Sequence, residues 1–393
     1  MSLKRTMAAL LALCLPLLSL AACGTKKVKL YLPLPADCAY AAGEYVQEVN
    51  TVNVNKVQTN TYGNSPYAAM AVNRRAVQTG AALYTAVNAA QALQKIEADG
   101  SVATLYDQNA VGQVSYYAGY VYFSDYVAVT EPMVRGEFYA QRLFRLNVKE
   151  GAKEPELLYE ARTERECFGS FQLCNGSLYL IGAQVYSTFG VQRLGLDGKT
   201  DGKTSPTLLS EKNTTAQQVS GDTLYYLVGG VLYAAALRGV ERRALLADTD
   251  VRAFCATEEA VYFAREGTPG VFALDRVSGE VTQIRAEGEV EAFFATAGAG
   301  APDCFVIKPE GAAATDTRQL VYQPGDGAEK ILAEDVMPLH LSFMQPFCEG
   351  GKVYYFSCDT QAVHGYIRAV EPATGTVEEC YDWAITKAGV PTF

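Results

Sequence analysis

The chain has 393 residues, a formal net charge of −10 and a hydrophobic content of 49%. This length suits either one large all-β domain or two ordinary domains. The acidic balance, without any basic stretch, argues against nucleic acid as a partner, because binding to phosphate backbones depends on lysine and arginine. Only two histidines and one tryptophan occur, which restricts zinc binding and histidine-based catalysis.

The N-terminal segment has the pattern of an export signal that ends in a lipid-attachment site. Two basic residues precede an apolar stretch over residues 7–20, which is too short for a permanent membrane helix. The sequence LAAC at residues 20–23 then resembles the lipobox of bacterial lipoproteins, whose cysteine receives diacylglycerol. We therefore expect residues 1–22 to be removed and Cys23 to anchor the protein to the outer side of the cytoplasmic membrane or to the envelope. An ordinary secretory peptide is the alternative.

Between this site and the first repeat, residues 23–60 contain a short tether and one candidate strand. Residues 44–58 alternate valine with polar side chains, as a half-buried strand does. A ring of sheets is closed when one end of the chain completes the sheet at the other end. The segment is therefore expected to close such a ring or to form an edge, and residues 61–393 are expected to form the repeat domain.

A short element, an apolar residue followed by Tyr or Phe after a turn, recurs seven times along the chain. The spacing between successive aromatics runs from 37 to 57 residues and averages 45, which is typical of β-propeller blades with four strands each. The seven aromatic positions, called anchors below, are Tyr84, Tyr122, Tyr179, Tyr225, Tyr262, Phe305 and Tyr354.

Residues 261–284, VYFAREGTPGVFALDRVSGEVTQI, show the rest of one repeat unit. Two turns with glycine separate three short runs rich in valine and aromatics, which predicts strands two, three and four of a blade. The longest insertion, residues 124–140, falls between strands two and three of the second unit. The sequence thus predicts an all-β propeller of seven four-stranded blades. Six or eight blades, a β-sandwich or a barrel are the alternatives.

Eight cysteines remain after signal removal and lipidation, and we expect most of them to be buried thiols. Cys174, Cys255 and Cys348 each stand five to seven residues before their anchor. Equivalent positions in successive blades are roughly 10 Å or more apart, too far for a disulfide, so cysteine acts there as a small apolar residue. Two pairings remain open: Cys167 with Cys174, and Cys358 with Cys380.

The sequence contains no convincing catalytic or metal-binding motif. Residues 197–202 resemble the start of a calcium loop, but Lys199 occupies a position that needs an oxygen ligand, which favours a strand-connecting turn. The adjacent pairs Glu258-Glu259 and Glu378-Glu379 point to opposite faces of a strand and cannot converge on one substrate. We therefore expect no metal, no cofactor and no enzymatic activity.

The lipobox and the repeats together resemble bacterial lipoproteins with TolB-like, YWTD-like or PQQ-like propellers. The resemblance implies an extracytoplasmic, monomeric module that binds or scaffolds a protein or a glycan; a glycan-active hydrolase or lyase is the alternative. Loops after strands two and four gather on one face of a propeller, where ligands bind. The ligand-face candidates are Asp125, Tyr126, Phe189, Arg265, Glu266, Lys308 and Asp359.

Overall fold

The computed structural model describes residues 75–384, with gaps at 81, 131–136, 162–165, 175, 183–190, 200–213, 221–222, 237–241, 247–249, 258, 277, 297–299, 326 and 360–363. These residues form antiparallel strands joined by turns. No helix among them is long and apolar enough to cross a bilayer. The expected signal peptide, Cys23 and the candidate strand at 44–58 lie outside the described residues.

The strands form seven sheets that follow one another along the chain, here called blades 1 to 7. Blades 1 to 4 contain β1 (Ala76–Gln78), β2 (Ala82–Thr85), β3 (Leu93–Glu97), β4 (Val102–Tyr106); β5 (Val111–Tyr117), β6 (Tyr120–Thr130), β7 (Glu137–Asn147), β8 (Glu156–Glu160); β9 (Phe168–Cys174), β10 (Ser177–Gly182), β11 (Val191–Gly195); and β12 (Thr214–Ser220), β13 (Thr223–Val228), β14 (Val231–Ala236), β15 (Arg242–Ala244).

Blades 5 to 7 contain β16 (Val251–Ala256), β17 (Ala260–Arg265), β18 (Thr268–Asp275), β19 (Val281–Arg285); β20 (Glu289–Phe294), β21 (Cys304–Lys308), β22 (Arg318–Tyr322), β23 (Lys330–Val336); and β24 (Phe347–Glu349), β25 (Lys352–Cys358), β26 (His364–Val370), β27 (Val377–Ala384). Six sheets have four strands, and blade 3 has three within the described residues. In blades 1 to 6, the first strands of neighbouring blades contact one another and line the inside of the propeller. The seven-bladed β-propeller predicted from the repeats is confirmed.

The anchors occupy the second strand of seven successive sheets, as the repeat predicted. Each is almost completely buried: Tyr84, Tyr122, Tyr179, Tyr225, Tyr262, Phe305 and Tyr354 are between 0% and 6% exposed. Both faces of each sheet are covered by neighbouring blades, which explains why apolar and aromatic residues follow one another without alternation in these strands.

Two details of the strands differ from the expectation. Residues 261–284 do form strands two to four of blade 5, but β18 begins at Thr268 and includes the expected turn residues Pro269 and Gly270. The insertion at 124–140 mainly lengthens β6 and β7, which pair up to Thr130 and Glu137. Long paired strands satisfy their backbone groups without a loop, a solution that turn residues alone do not reveal.

Glutamine side chains join the inner strands of blades 2 to 5. Gln172 donates to the carbonyl of Val219 at 2.7 Å and accepts from the amide of Val219 at 2.8 Å. Gln218 makes the same two bonds to Ala256, and Gln113 makes them to Phe171. Each amide satisfies one donor and one acceptor in the next blade, so these glutamines fix neighbouring inner strands to each other.

We expect Gln218→Ala to lower the free energy of unfolding by about 1–3 kcal/mol, because the amide and carbonyl of the buried Ala256 lose their side-chain partner. Gln283 is exposed, and Gln283→Ala is the control, with an expected change within about 0.5 kcal/mol. Urea denaturation of both variants measures the difference. Equal midpoints would contradict the role of the glutamines.

Within the described residues, blade 7 and blade 1 contact each other through side chains. Each of these two sheets is built from four consecutive strands. Tyr381 on β27 donates to Gln94 on β3 at 2.7 Å. An apolar cluster joins the two blades and includes Ala76, Leu83, Val87, Ile96, Met344, Phe347, Tyr354, Phe356, Ile367 and Ala369.

The described cysteines are free thiols. Cys174, Cys255 and Cys348 are buried at 0%, 1% and 3% exposure in three different blades, which confirms their prediction as small core residues. Burial raises the pKa of the Cys255 thiol, and that of Cys348 to about 12, so both stay protonated at neutral pH. The open pairs Cys167–Cys174 and Cys358–Cys380 are also unbonded.

Candidate functional site

The upper face of the propeller carries the loops after the second and fourth strands of each blade. At this end, the first strands of blades 2 to 6 each contain one extra residue that breaks the pairing register with the second strand. Such β-bulges bend a strand and redirect its side chains. The bulges lie at Gly112-Gln113, Gly169, Thr215, Arg252 and Glu291.

The bulges of blades 5 and 6 place opposite charges beside each other. Arg252 and Glu291 occupy equivalent positions in the two inner strands, and their side chains contact at 3.7 Å. The equivalent position is Gly112 in blade 2 and Gly169 in blade 3. Among the bulge residues of the inner strands, the charged side chains therefore lie in blades 5 and 6.

The Arg252 cluster, defined as Arg252, Glu289, Glu291, Lys308 and Arg318, is the candidate functional site. Arg252 pairs with Glu289 at 2.7 Å, and Lys308 lies 3.6 Å from the same carboxylate. Glu289 and Glu291 are two residues apart on β20. Because both contact the Arg252 guanidinium, their carboxylates are no farther apart than the roughly 9.5 Å that paired carboxylates span in glycoside hydrolysis.

The two glutamates differ in accessibility. The Glu289 side chain is 38% exposed, whereas that of Glu291 is 9% exposed. Burial opposes the charge on Glu289, but the hydrogen bond from Arg252 and the charges of Arg252 and Lys308 outweigh it and lower the pKa of this carboxyl group. Glu289 is thus an accessible, ionised carboxylate between two cations.

Arg318 connects the cluster to the loop before it. Its side chain is 2% exposed and pairs with Glu291 at 2.9 Å. The guanidinium also donates to the carbonyls of Ala313, Ala314 and Asp316. One carboxylate oxygen of Glu291, Oε2, is buried without a hydrogen-bond partner. Arg318 therefore holds a backbone turn and the bulge of β20 together.

A second charged group, the Asp125 cluster, lies between blades 1 and 2 and consists of Tyr106, Asn109, Asp125 and Arg142. The Arg142 Nε donates to Asp125 at 3.0 Å, and Asn109 donates to the same carboxylate at 3.1 Å. Tyr106 also donates to it, and burial together with this bond raises the pKa of the phenol. Asp125 is 0% exposed, so it joins two blades and is not accessible to a ligand.

Tyr126, the neighbour of Asp125, lies on β6 and not in a loop. A Cβ atom on Gly112 would lie 2.5 Å from the Cε2 atom of Tyr126 and 3.0 Å from the hydroxyl of Ser124. The bulge glycine therefore provides the space in which the Tyr126 ring packs, half-buried, on the upper face.

The other residues predicted for the ligand face lie at separate points of the upper rim. The Arg265 guanidinium stacks on Phe272 with 4.4 Å to the ring centroid. Glu266 is exposed in the turn after β17, and Asp359 follows β25. Among these candidates, only Lys308 belongs to the Arg252 cluster, and Phe189 lies outside the described residues.

Four of the five residues in the Arg252 cluster were not predicted from the sequence. Adjacent glutamates such as Glu378-Glu379 were considered there, whereas residues two apart along a strand share a face. A usable signal was present, since VRAF at 251–254 and VEAF at 290–293 repeat the same pattern with opposite charges. Within the described ranges, no group of three or more His, Cys, Asp or Glu side chains is arranged to hold a metal ion.

Comparisons with known proteins identify the fold and not a family. No family model and no curated protein matches the chain. A prolyl endopeptidase structure is similar with a TM-score of 0.51 and 10% identity, over 84% of this chain and 52% of the peptidase, so the chain spans about half of its length. A putative 6-phosphogluconolactonase from Bacteroides fragilis has a TM-score of 0.45 and 11% identity over 80% and 94% of the two chains. A streptogramin B lyase structure has a TM-score of 0.42 and 12% identity, over 75% of this chain and 93% of the lyase.

These comparisons correct one prediction from the sequence. The chain was expected not to be an enzyme, yet a solved structure that shares its fold with a TM-score of 0.51 is named as a prolyl endopeptidase. A propeller of this kind is therefore no reason to exclude catalysis. At 10% identity, what this chain shares with the endopeptidase structure is its fold.

Proposed function

We propose that this protein acts on a glycan outside the cytoplasmic membrane, and that the Arg252 cluster is its site. The observation that carries the proposal is Glu289, a partly exposed carboxylate kept ionised between Arg252 and Lys308 at the upper end of the inner strand β20. An ionised carboxylate can act as a nucleophile or general base toward a sugar. Glu291 supplies a second carboxylate through the shared arginine.

We expect Glu289→Gln to reduce the release of reducing ends from chitohexaose, xylohexaose or laminarihexaose at least a hundredfold, since a positioned base contributes about 10²–10⁴-fold. Glu378→Gln is the matched control. Glu378 also forms an exposed ion pair, with Lys352, but at the lower end of blade 7. It should keep its rate within about twofold. Full activity in the Glu289 variant would contradict the assignment.

Binding of a protein or glycan without turnover is the second candidate function. In the Arg252 cluster, the carboxylates and cations hold one another in fixed positions. Charged groups in fixed positions can recognise complementary groups on a ligand, which favours this second function. Saturable binding of one of these glycans, with no product released, would distinguish this candidate from the first.

The proposal also places the protein on a membrane through a lipid on Cys23. Cys23→Ser is expected to release the protein into the soluble fraction without changing its circular dichroism spectrum, because the acyl chains supply the attachment. Fractionation with palmitate labelling measures this. Labelling of the serine variant at the level of the unchanged protein would refute the site.

A further inference from the structure

The loop at residues 309–317, called the blade 6 loop, connects β21 to β22 on the upper face. It begins directly after Lys308, whose register partner across the two strands is Glu289. It ends at Arg318, which pairs with Glu291. Both ends of the loop are therefore attached to the Arg252 cluster.

The blade 6 loop is held in one conformation by a buried arginine. Arg318 donates to three carbonyls of the loop, those of Ala313, Ala314 and Asp316. The Asp316 carboxylate in turn accepts from the amide of Ala313 at 2.7 Å. Burying a guanidinium is costly unless its donors are hydrogen-bonded. The two terminal nitrogens of Arg318 meet this need through the loop carbonyls, whereas its Nε is buried without a partner, so the loop carbonyls are held to the buried arginine.

The outer surface of the loop consists of small side chains. Residues 313–317 are Ala, Ala, Thr, Asp and Thr, and all five are exposed. The side of the loop that faces solvent is therefore formed by short side chains, and none of them is bulky enough to cover the neighbouring Arg252 cluster.

We infer that the blade 6 loop is the wall of the glycan site next to Glu289, that it determines which glycan fits, and that Arg318 is the residue that positions it. This inference rests on the proposed function. A sugar bound at Glu289 would have Lys308 and the loop backbone on one side and Arg252 on the other.

The first test needs no ligand. Arg318→Lys keeps the positive charge but removes the planar guanidinium group, which can donate hydrogen bonds to several carbonyls at once. We expect amide hydrogen exchange at residues 312–317 to become at least tenfold faster, with exchange in blade 2 unchanged. Arg368→Lys, which alters the ion pair with Asp335 on blades 7 and 6, is the control and should leave the loop unchanged. Unchanged exchange in the Arg318 variant overturns the positioning role.

The second test places a bulky side chain on the blade 6 loop. Ala314 is exposed, and its replacement by tryptophan adds bulk without disturbing the core. Ala152, exposed at the lower face, provides the matched variant Ala152→Trp. With chitohexaose, xylohexaose and laminarihexaose as probes, we expect at least tenfold weaker binding for the Ala314 variant and unchanged binding for the Ala152 variant. Equal binding by both overturns the inference and leaves the proposed function standing. Failure of the unchanged protein to bind any of the three overturns both.

Discussion

Replacing Asp125 with alanine is expected to lower the free energy of unfolding by about 3–5 kcal/mol, because the change leaves charged and polar partners without their common acceptor. Asp125 is completely buried and accepts hydrogen bonds from Tyr106, Asn109 and Arg142. These partners come from two blades, so the loss should appear as a lower midpoint of global unfolding in urea.

Asp335 provides the control for this prediction. It also pairs with an arginine, Arg368, but the two side chains are 40% and 28% exposed. Exposed ion pairs contribute about 0–1 kcal/mol, so Asp335→Ala should stay within that range. If both variants lost the same stability, the Asp125 cluster would have no special structural role.

Truncation of an anchor is the second large effect, and Tyr262→Ala is expected to cost about 3–5 kcal/mol. Tyr262 is 4% exposed and belongs to an apolar cluster that also contains Val290, Phe293 and Phe305 of the next blade. Burial raises the pKa of its phenol to about 12, which is consistent with a ring held away from water. The variant therefore loses contacts in two blades at once.

Tyr366 is the matched control, since it is a half-buried tyrosine on the third strand of blade 7. Its ring lies under Arg368, with 4.8 Å between the guanidinium and the ring centroid. Tyr366→Ala is expected to cost about 1 kcal/mol. A loss at Tyr262 as small as this would mean that the anchors do not hold neighbouring blades together.

The sequence predicted the architecture because each blade repeats the same physical solution. A buried aromatic on strand two, followed by turns with glycine, is needed in every unit, so the anchors and their spacing revealed seven sheets. The paired extension of β6 and β7 could not be predicted in this way, since it depends on register and not on turn residues. For that reason Tyr126, interpreted as an insertion residue, lies in a strand and packs over Gly112.

The candidate site was predicted less well because its residues combine across blades. Asp125 has the sequence context of a loop carboxylate, yet Arg142 and Tyr106 bury it completely. Arg252 and Glu291 meet only because β-bulges occur at the same level of two inner strands. A bulge is a change of register between partners, and the sequence of one strand does not record it.

Hydrogen exchange with and without a bound hexasaccharide tests the central claim, that the upper face at blades 5 and 6 is the ligand site. We expect protection on binding at residues 250–252, 265–268, 289–291 and 308–317. Protection at the lower-face turns 147–152, 275–280 and 371–376 instead, or no protection at the Arg252 cluster, would contradict the account.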